Sequence, residues 1–213
     1  MSTASQPYPV VLDAEDAKES LRAAIREVRM ARSERRRRAA ATAFAEVLET
    51  MPELRDAHCV AAYAARAGEP GTGPLLEALA ARGVRVLLPV LGTGLQRDWA
   101  AYDGADDLRQ RAPGRPPEPG TTQLGAGALG DADVIVAPAL AVDTAGARLG
   151  QGGGWYDRAL EHARPGTPVI AMVYAEEVYD AETRPLPREP HDRRGDAVAT
   201  PEGWRWLRHP AAE

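Results

Sequence analysis

The sequence predicts one α/β domain, a three-layer α/β/α arrangement built on a mainly parallel open sheet. Two observations support this fold class. Short apolar runs typical of buried strands alternate with segments of helical periodicity, as in chains that pack helices on both faces of a parallel sheet. The chain has 213 residues, of which 44% are hydrophobic, and this suits one domain with a sizeable core. We divide it into an N-terminal lead-in (1–12), the domain (13–205) and a C-terminal tail (206–213).

Helical periodicity is clearest at the start of the domain. Two helices are predicted between residues 13 and 50, with Asp13 capping the first and a break near Ser33, which can cap the second. Spacings of three and four predict a core-facing stripe in the first helix, at Leu21, Ile25 and Val28. Further helices are predicted over 75–81 and 155–163.

The predicted strands are short apolar runs bounded by turn residues. They cover residues 59–63, 84–89, 134–140, 169–174 and 197–199. Pro89 either ends its strand or places it at a sheet edge, because proline cannot donate a backbone hydrogen bond. Residues 92–130 are rich in Gly, Pro, Asp and Thr and predict a long surface excursion.

Composition narrows the class of protein. The formal net charge of -5 argues against a dedicated nucleic-acid binder. The basic run 35–38 points all round a helix, so a solvated face is favoured over a nucleic-acid or membrane contact. The single cysteine, Cys59, is typical of a reducing compartment and a buried strand. Without a secretion signal or an apolar run near the roughly 20 residues of a membrane span, a cytoplasmic protein is expected.

A glycine-rich segment carries the clearest chemical signal. It lies between a predicted strand and a predicted helix and reads Arg148-Leu149-Gly150-Gln151-Gly152-Gly153-Gly154-Trp155-Tyr156-Asp157. Backbone N–H groups of glycines can approach an anion closely, and Arg148 can bind phosphate oxygens through its planar fork. Asp157 could hold a magnesium ion that bridges phosphates. Taken alone, the segment fits a plain chain reversal equally well.

The wider pattern resembles a known family. The run Asp143-x-x-Gly146-x-Arg148-Leu149-Gly150-x-Gly152-x-Gly154-x-Tyr156-Asp157-Arg158 closely resembles the signature of 5-formyltetrahydrofolate cyclo-ligases, also called 5,10-methenyltetrahydrofolate synthetases. The resemblance extends over about residues 18–200. Its other motif matches are Lys18 and Arg22, Glu69 and Thr72, Glu118-Pro119, and Pro187 to Asp192 followed by Asp196 and Thr200.

The resemblance implies the cyclo-ligase fold and an ATP- and magnesium-dependent ring closure. Members of this family convert 5-formyltetrahydrofolate to 5,10-methenyltetrahydrofolate and release ADP and phosphate, through a phosphorylated formyl group. The implied ligands are therefore ATP, Mg²⁺ and the reduced folate, with no nucleic-acid or membrane partner. A monomer is expected, with a dimer as the alternative.

The resemblance also assigns site residues. Arg148 and Tyr156 match catalytic positions. The implied ATP contacts are Lys18, Arg22, Arg148, Leu149, Gly150, Gln151, Gly152, Gly153, Gly154, Trp155 and Tyr156. The implied folate contacts are Glu69, Gln151, Gly152, Gly154 and Trp155, and the implied magnesium ligands are Asp157 and Asp192.

Each assignment has a simpler alternative. Lys18 and Arg22 alone would read as solvated helix charges. Asp157 would be a stabilising carboxylate at a helix start, and Asp192 and Glu69 would be turn residues.

The sequence also departs from the family pattern, because Gly153 stands where many members have Lys. That departure favours a rival hypothesis, a non-catalytic folate or nucleotide binder of the same fold; a sugar-phosphate or acyl-phosphate enzyme is a third, by analogy of fold alone.

Overall fold

The structure is a computed structural model that describes residues 6–7, 13–91, 97–189 and 192–207. Its helices are α1 (Ala14–Met30), α2 (Glu34–Glu49), α3 (Pro52–Arg55), α4 (Gly73–Ala81) and α5 (Trp155–Ala159). Its strands are β1 (Cys59–Ala61), β2 (Arg85–Val90), β3 (Asp98–Ala101), β4 (Val134–Pro138), β5 (Ala141–Asp143), β6 (Arg148–Leu149), β7 (Val169–Met172), β8 (Val178–Tyr179), β9 (Ala197–Thr200) and β10 (Gly203–Trp206). Short 3₁₀ helices occur at Ala105–Asp107, Ala126–Asp131, Leu160–His162 and Ala175–Glu177.

The central sheet confirms the predicted fold class. Within the described ranges it has seven strands in the order β10-β9-β7-β4-β1-β2-β3. The five inner strands pair in parallel, and the outer strands β3 and β10 run antiparallel to their neighbours. A smaller sheet of β6, β5 and β8 stands beside it. The hairpin of β5 and β6 places the glycine-rich segment at the carboxyl ends of the parallel strands. Open α/β sheets bind ligands at this edge.

Helices cover both faces of the central sheet, as a three-layer arrangement requires. Phe44 and Leu48 of α2 and Leu75 and Leu79 of α4 pack on one face. On the other face, residues around α5 and the 3₁₀ turn at 126–131 pack against Trp99 and neighbouring strand residues. Helix α1 lies on the smaller sheet through Leu21 and related core residues. None of the described helices is long and apolar enough to cross a membrane.

Both helix caps in the N-terminal region follow the prediction. The Asp13 side chain accepts a hydrogen bond from the Glu15 N–H at 2.8 Å, and Ser33 accepts from Arg36 at 3.4 Å. The predicted stripe is right at Leu21 and Ile25 but wrong at Val28, which is 45% exposed. The apolar surface under α1 is narrow, because the smaller sheet contributes only short strands.

Several strands differ from the prediction. Strands β1, β4 and β7 end two residues before their apolar runs, because the following residues are buried outside the sheet, whereas β2 and β9 each end one residue later than predicted. Pro89 neither ends β2 nor marks an edge: β2 is flanked by β1 and β3, and Pro89 lies beyond its pairing with β1, which ends at Leu87. The excursion contains the unpredicted edge strand β3, whose Trp99 is fully buried; residues 92–96 lie outside the described residues.

The other missed strands, β5, β6, β8 and β10, have two to four residues each. Such lengths carry too little alternation for a sequence pattern to reveal them. Helix α5 is also shorter than predicted, because the chain tightens to a 3₁₀ turn at Leu160. The division at residues 12 and 205 stays a prediction; β10 extends to Trp206, and Leu207 is buried.

Candidate active site

Two adjoining cavities lie at the carboxyl ends of β1 and β4, beside the glycine-rich segment. The polar cavity, of about 200 Å³, is enclosed by charged side chains and the backbone of that segment. It is lined by Glu15, Lys18, Arg22, Arg148, Leu149, Gly150, Gly152, Gly153, Gly154, Asp157, Arg158, Glu189 and Asp192. Positions that are separate in sequence, from α1, the glycine-rich segment and the chain before β9, therefore meet around one space.

The glycine-rich segment exposes its backbone to the polar cavity. Gly152 and Gly154 have φ values of +103° and +57°, a backbone conformation that glycine adopts without strain. Among the described residues, no backbone N–H of residues 150–154 donates a hydrogen bond to a protein acceptor. Helix α5 has only five residues, so its dipole contributes less positive potential to the cavity than the longer predicted helix would. Free N–H groups are what the anion-binding interpretation requires.

Lys18 is buried beneath this cavity, and the alternative of a solvated helix charge is wrong. Its side chain is 6% exposed, and Nζ lies 2.7 Å from Glu189 Oε2 and 2.8 Å from Asp192 Oδ2. Burial opposes the ammonium charge, but the hydrogen bonds and charges of Asp192 and Glu189 outweigh it and raise the pKa of Lys18. Lys18 is therefore a permanent cation at neutral pH, held between two carboxylates. His191, the neighbour of Asp192, lies outside the described residues.

Arg22, also buried, ties α1 to the glycine-rich segment. Its Nε donates to the Gly150 carbonyl at 3.2 Å, and its Nη1 pairs with Glu15 at 2.8 Å. One helical turn further, Arg26 Nη2 donates to the Gln151 carbonyl at 2.9 Å. Sequence reasoning missed Arg26, although its spacing of four from Arg22 places both on one face of α1.

Arg148 and Asp157 form an ion pair across the mouth of the segment. Arg148 Nη2 lies 2.7 Å from Asp157 Oδ1, and the two side chains are 2% and 24% exposed. Arg148 Nε is buried and has no hydrogen-bond partner among the described residues. An incoming anion could satisfy this nitrogen, because a buried unpaired donor is costly.

The two predicted metal ligands, Asp157 and Asp192, line the same cavity. The described residues contain no cluster of three or more His, Cys, Asp or Glu side chains arranged for a metal ion. Each carboxylate is instead engaged by a cation, Asp157 by Arg148 and Asp192 by Lys18. This donor set fits Mg²⁺, which usually takes one or two carboxylates and completes its shell with waters and phosphate oxygens.

Arg158 is a second residue that sequence reasoning passed over. It lines the polar cavity, and its guanidinium donates to the carbonyls of Gly153 (3.3 Å) and Gly154 (3.2 Å). A cation therefore stands beside Gly153, the position where many family members have Lys. The sequence could have indicated Arg158, because it directly follows Asp157 in the run that resembles the family signature.

The apolar cavity, of about 280 Å³, lies on the other side of the segment. Aromatic rings form one wall, where Trp155 packs on Trp99 (5.3 Å between centroids) and on Tyr156 (5.0 Å). The Tyr156 hydroxyl lies 3.4 Å from the Ala62 carbonyl, and burial, with the charge of Glu69, raises the pKa of Tyr156 far above its usual value. Tyr156 is therefore a neutral hydrogen-bond donor at physiological pH.

Glu69 provides a carboxylate at the end of the apolar cavity. It is 9% exposed, pairs with Arg66 at 2.9 Å and accepts a hydrogen bond from Gln151 Nε2 at 3.1 Å. Glu118, the acid of the Glu-Pro pair, is buried elsewhere and accepts from the Leu91 N–H and Arg111. Glu69 therefore lies where it can contact a ligand in the apolar cavity, whereas Glu118 stabilises the excursion through its hydrogen bonds to Leu91 and Arg111.

The two cavities share part of their walls, at Arg148, Gly150, Gly153, Gly154 and Asp157. Fold and site together define an α/β protein in which a polar cavity, lined by four basic and four acidic side chains, adjoins an apolar cavity with an aromatic wall.

The profile of the 5-formyltetrahydrofolate cyclo-ligase family matches residues 14–201. The chain belongs to this family. It is 43% identical to the 5-formyltetrahydrofolate cyclo-ligase of Mycolicibacterium smegmatis over 147 residues, which are 67% of this chain and 73% of that protein. It is 34% identical to the Escherichia coli K12 cyclo-ligase over 161 residues, 74% of this chain and 86% of that one.

Solved structures agree. The NMR structure of Aquifex aeolicus 5,10-methenyltetrahydrofolate synthetase superposes with a TM-score of 0.75 at 27% identity, covering 92% of this chain and 95% of that one. The Mycoplasma pneumoniae 5,10-methenyltetrahydrofolate synthetase, at 20% identity, supports the fold with a TM-score of 0.64 over 85% of this chain and 96% of that one.

Proposed function

We propose that this protein converts 5-formyltetrahydrofolate to 5,10-methenyltetrahydrofolate, using ATP and releasing ADP and phosphate. The observation that carries the proposal is the shared wall of the two cavities. A polyanion in the polar cavity and a ring system in the apolar cavity would meet at Arg148 and the glycines of the segment. Phosphoryl transfer between two bound substrates needs this proximity.

The polar cavity suits the ATP phosphates. Lys18, Arg148 and Arg158 supply positive charge, and the N–H groups of residues 150–154, which have no protein acceptor among the described residues, supply directed hydrogen bonds. Arg22 acts on the backbone by fixing the Gly150 carbonyl. Leu149 also lines this cavity, whereas Gln151, Trp155 and Tyr156, which the family resemblance assigns to ATP as well, line the apolar cavity.

Magnesium belongs to the same proposal. Asp157 and Asp192 would hold the ion, and a divalent cation there would neutralise charge on the phosphates during transfer. The ion pairs to Arg148 and Lys18 orient both carboxylates before the ion arrives.

In the reaction, the formyl oxygen of the folate takes the γ-phosphoryl group, and ADP leaves. The neighbouring folate nitrogen then attacks the activated formyl carbon and forms a carbon–nitrogen bond. Its proton passes to the departing phosphate as the C–O bond breaks. Arg148 lies where both substrates meet and can stabilise negative charge on the transferred group. Tyr156, neutral and partly buried, orients the formyl group by hydrogen bonding, while Trp155 stacks on the pterin.

Glu69 and Gln151 would bind the polar edge of the pterin. The Glu69 carboxylate is held by Arg66 and Gln151 and can accept hydrogen bonds from ring donors. We expect a cytoplasmic enzyme that acts on small molecules as a monomer.

A coupled assay tests the proposal. Purified protein is mixed with 5-formyltetrahydrofolate, ATP and magnesium, and ADP and the absorbance of the methenyl product are followed together. Equal amounts of both products are expected. Binding of folate or ATP without either product would favour the non-catalytic binder that Gly153 suggests, and neither binding nor turnover would refute the proposal.

The metal role has its own test, the substitution Asp157→Asn. It keeps the size of the side chain and removes its charge, so we expect a higher magnesium requirement and a fall in kcat of roughly a hundredfold. The fold should be retained with a melting temperature lowered by a few degrees, because buried Arg148 loses its charged partner. Equal activity of variant and wild type over a magnesium titration would exclude the role.

A further inference from the structure

We propose that Arg26 is a positioning residue for the folate substrate: it orients Gln151 and, through Gln151, the Glu69 carboxylate. This inference rests on the proposed function, because Glu69 matters here as an acceptor for the pterin. Arg26 lines neither the polar cavity nor the apolar one. It therefore influences a bound substrate through the residues that it contacts.

Arg26 contacts Gln151 at two points. Its Nη2 donates to the Gln151 backbone carbonyl at 2.9 Å, and its Nε donates to the side-chain Oε1 of the same residue at 3.4 Å. The planar guanidinium holds these two donors in a fixed relation to each other. The backbone and the side chain of Gln151 are therefore both held against α1.

The surroundings of Gln151 select one orientation of its side-chain amide. Oε1 faces the Arg26 guanidinium, and Nε2 donates to Glu69 Oε1 at 3.1 Å. The reverse orientation would turn the amide N–H groups towards a guanidinium and the amide oxygen towards a carboxylate, and both contacts are repulsive. Arg26 thus makes Gln151 a hydrogen-bond donor to Glu69.

The Gln151 amide completes the set of donors around one oxygen of Glu69. Glu69 Oε1 also accepts from Arg66 Nη2 at 2.9 Å and from Arg66 Nε at 3.3 Å. Glu69 Oε2 accepts from the Arg66 backbone N–H at 2.9 Å. A carboxylate oxygen offers about two acceptor sites. With the donors of the described residues, Oε1 is therefore saturated, and Oε2 retains one site for a donor of the pterin.

The glycine-rich segment depends on α1 for its position. Gln151 is the one residue other than glycine in the run 150–154, and glycine backbone adopts many conformations unless contacts fix it. Two arginines one helical turn apart on α1 provide such contacts, since Arg22 holds the Gly150 carbonyl at 3.2 Å and Arg26 holds the next one. Arg22 lines the polar cavity, whereas Gln151 lines the apolar one, so the two arginines serve different substrates.

Steady-state kinetics of Arg26→Met, with each substrate varied in turn, test this inference. Methionine keeps an apolar stem and removes every donor. We expect the KM for 5-formyltetrahydrofolate to rise roughly tenfold, while the KM for ATP and the kcat change by less than about twofold. Arg26→Lys should recover part of the loss, because an ammonium group can still donate to the Gln151 carbonyl. The matched control is Arg38→Met on the exposed surface of α2, which should leave both KM values unchanged.

A double-mutant cycle separates positioning through Gln151 from a general structural role of Arg26. Gln151→Met removes the side-chain amide and should raise the KM for folate by itself. In that background, Arg26→Met should raise the KM further by less than about twofold, because the group that it orients is already absent. A general structural role would instead give the full effect of Arg26→Met in both backgrounds.

The outcomes distinguish this inference from the proposed function. If wild type forms the methenyl product and Arg26→Met keeps the wild-type KM for folate, or raises both KM values equally, the positioning role is overturned and the reaction stands. Independent effects of Arg26→Met and Gln151→Met overturn it as well. If wild type forms no product, the proposed function fails and the positioning role fails with it. Should Arg26→Met not fold, Arg26→Gln takes its place with the same expectations, because the shorter side chain loses the same contacts.

Discussion

Lys18 Nζ lies 2.8 Å from Asp192 Oδ2, a contact between residues 174 positions apart in the chain. It joins the first helix to the segment before β9 and brings a predicted ATP contact against a predicted magnesium ligand. The same ammonium lies 2.7 Å from Glu189 Oε2, so two carboxylates share one buried cation. Only one of these carboxylates is assigned to the metal, and the pair therefore forms a natural control.

We expect Asp192→Asn and Glu189→Gln to differ in their effect on the magnesium requirement. Each removes one carboxylate charge from Lys18 and keeps a similar shape, so the structural cost should be comparable, about 1 kcal/mol at these partly exposed sites. Asp192→Asn should raise the magnesium concentration for half-maximal activity roughly tenfold, and Glu189→Gln should not. Magnesium titrations of both variants provide the measurement. Equal responses would assign Asp192 to the support of Lys18 and not to the metal.

A second prediction concerns the missing charge at Gly153. A Cβ at this position would meet no atom within 4 Å, and its φ is not in the left-handed region, so a side chain fits there. Arg158 already donates to the Gly153 carbonyl and lines the polar cavity. We therefore expect Arg158→Gln to raise the KM for ATP about tenfold, and Gly153→Lys to restore most of it in the double variant.

Steady-state kinetics over an ATP titration measure this effect. Gly153→Ala, which adds a methyl group without charge, is the matched control and should restore nothing. If Arg158→Gln leaves the KM for ATP unchanged, Arg158 does not replace the family lysine.

Features of the fold and site that depend on residues close together in the sequence could be predicted, whereas those that depend on residues far apart in the sequence could not. The caps at Asp13 and Ser33 were predictable, because capping uses residues close in sequence. The glycine-rich segment was found because its long spacing resembles a family signature. Arg26 and Glu189 were missed because their roles come from contacts with distant residues, Gln151 and Lys18, and no local pattern records these. The burial of Lys18 could not be predicted for the same reason. A charged residue on a helix is expected to be exposed to solvent unless its partners, here distant in the sequence, are known.

A third prediction concerns the buried ion pair of Arg29 and Glu177, whose side chains are 2% and 4% exposed. Arg29→Met should lower the free energy of unfolding by about 3–5 kcal/mol, because it leaves the Glu177 carboxylate buried without its cation. Adding Glu177→Gln removes that charge and keeps an acceptor for the Tyr174 N–H, so the double variant should recover part of the loss. Urea unfolding measures both.

The exposed pair of Arg38 and Glu34 is the reference for this cycle. Arg38→Met should change stability by less than about 0.5 kcal/mol, because surface ion pairs contribute little. A double variant no more stable than Arg29→Met alone would show that packing, and not the uncompensated charge, causes the loss.

The last prediction concerns alkaline pH and Tyr179, whose hydroxyl donates to the Pro7 carbonyl at 2.6 Å. Burial, together with the charge of Glu177, raises the pKa of Tyr179 to about 12 in the folded protein, whereas an unfolded tyrosine titrates near 10. The protonated phenol therefore favours the folded state. Its contribution is complete below about pH 10 and is lost as the pH rises through about 12, a change on the order of 3 kcal/mol.

Tyr179→Phe isolates this contribution, because the variant cannot ionise at that position. At about pH 8 it should be less stable by about 1 kcal/mol, the net value of the hydroxyl's hydrogen bond. Between about pH 10 and pH 12 its stability should fall less steeply than that of wild type, so the difference should shrink or change sign. The other groups with raised pKa values, Lys18 and Tyr156 among them, titrate in both proteins and cancel in the comparison. Urea midpoints across this pH range measure the difference, and a constant gap would show that the Tyr179 pKa does not differ between the folded and unfolded states.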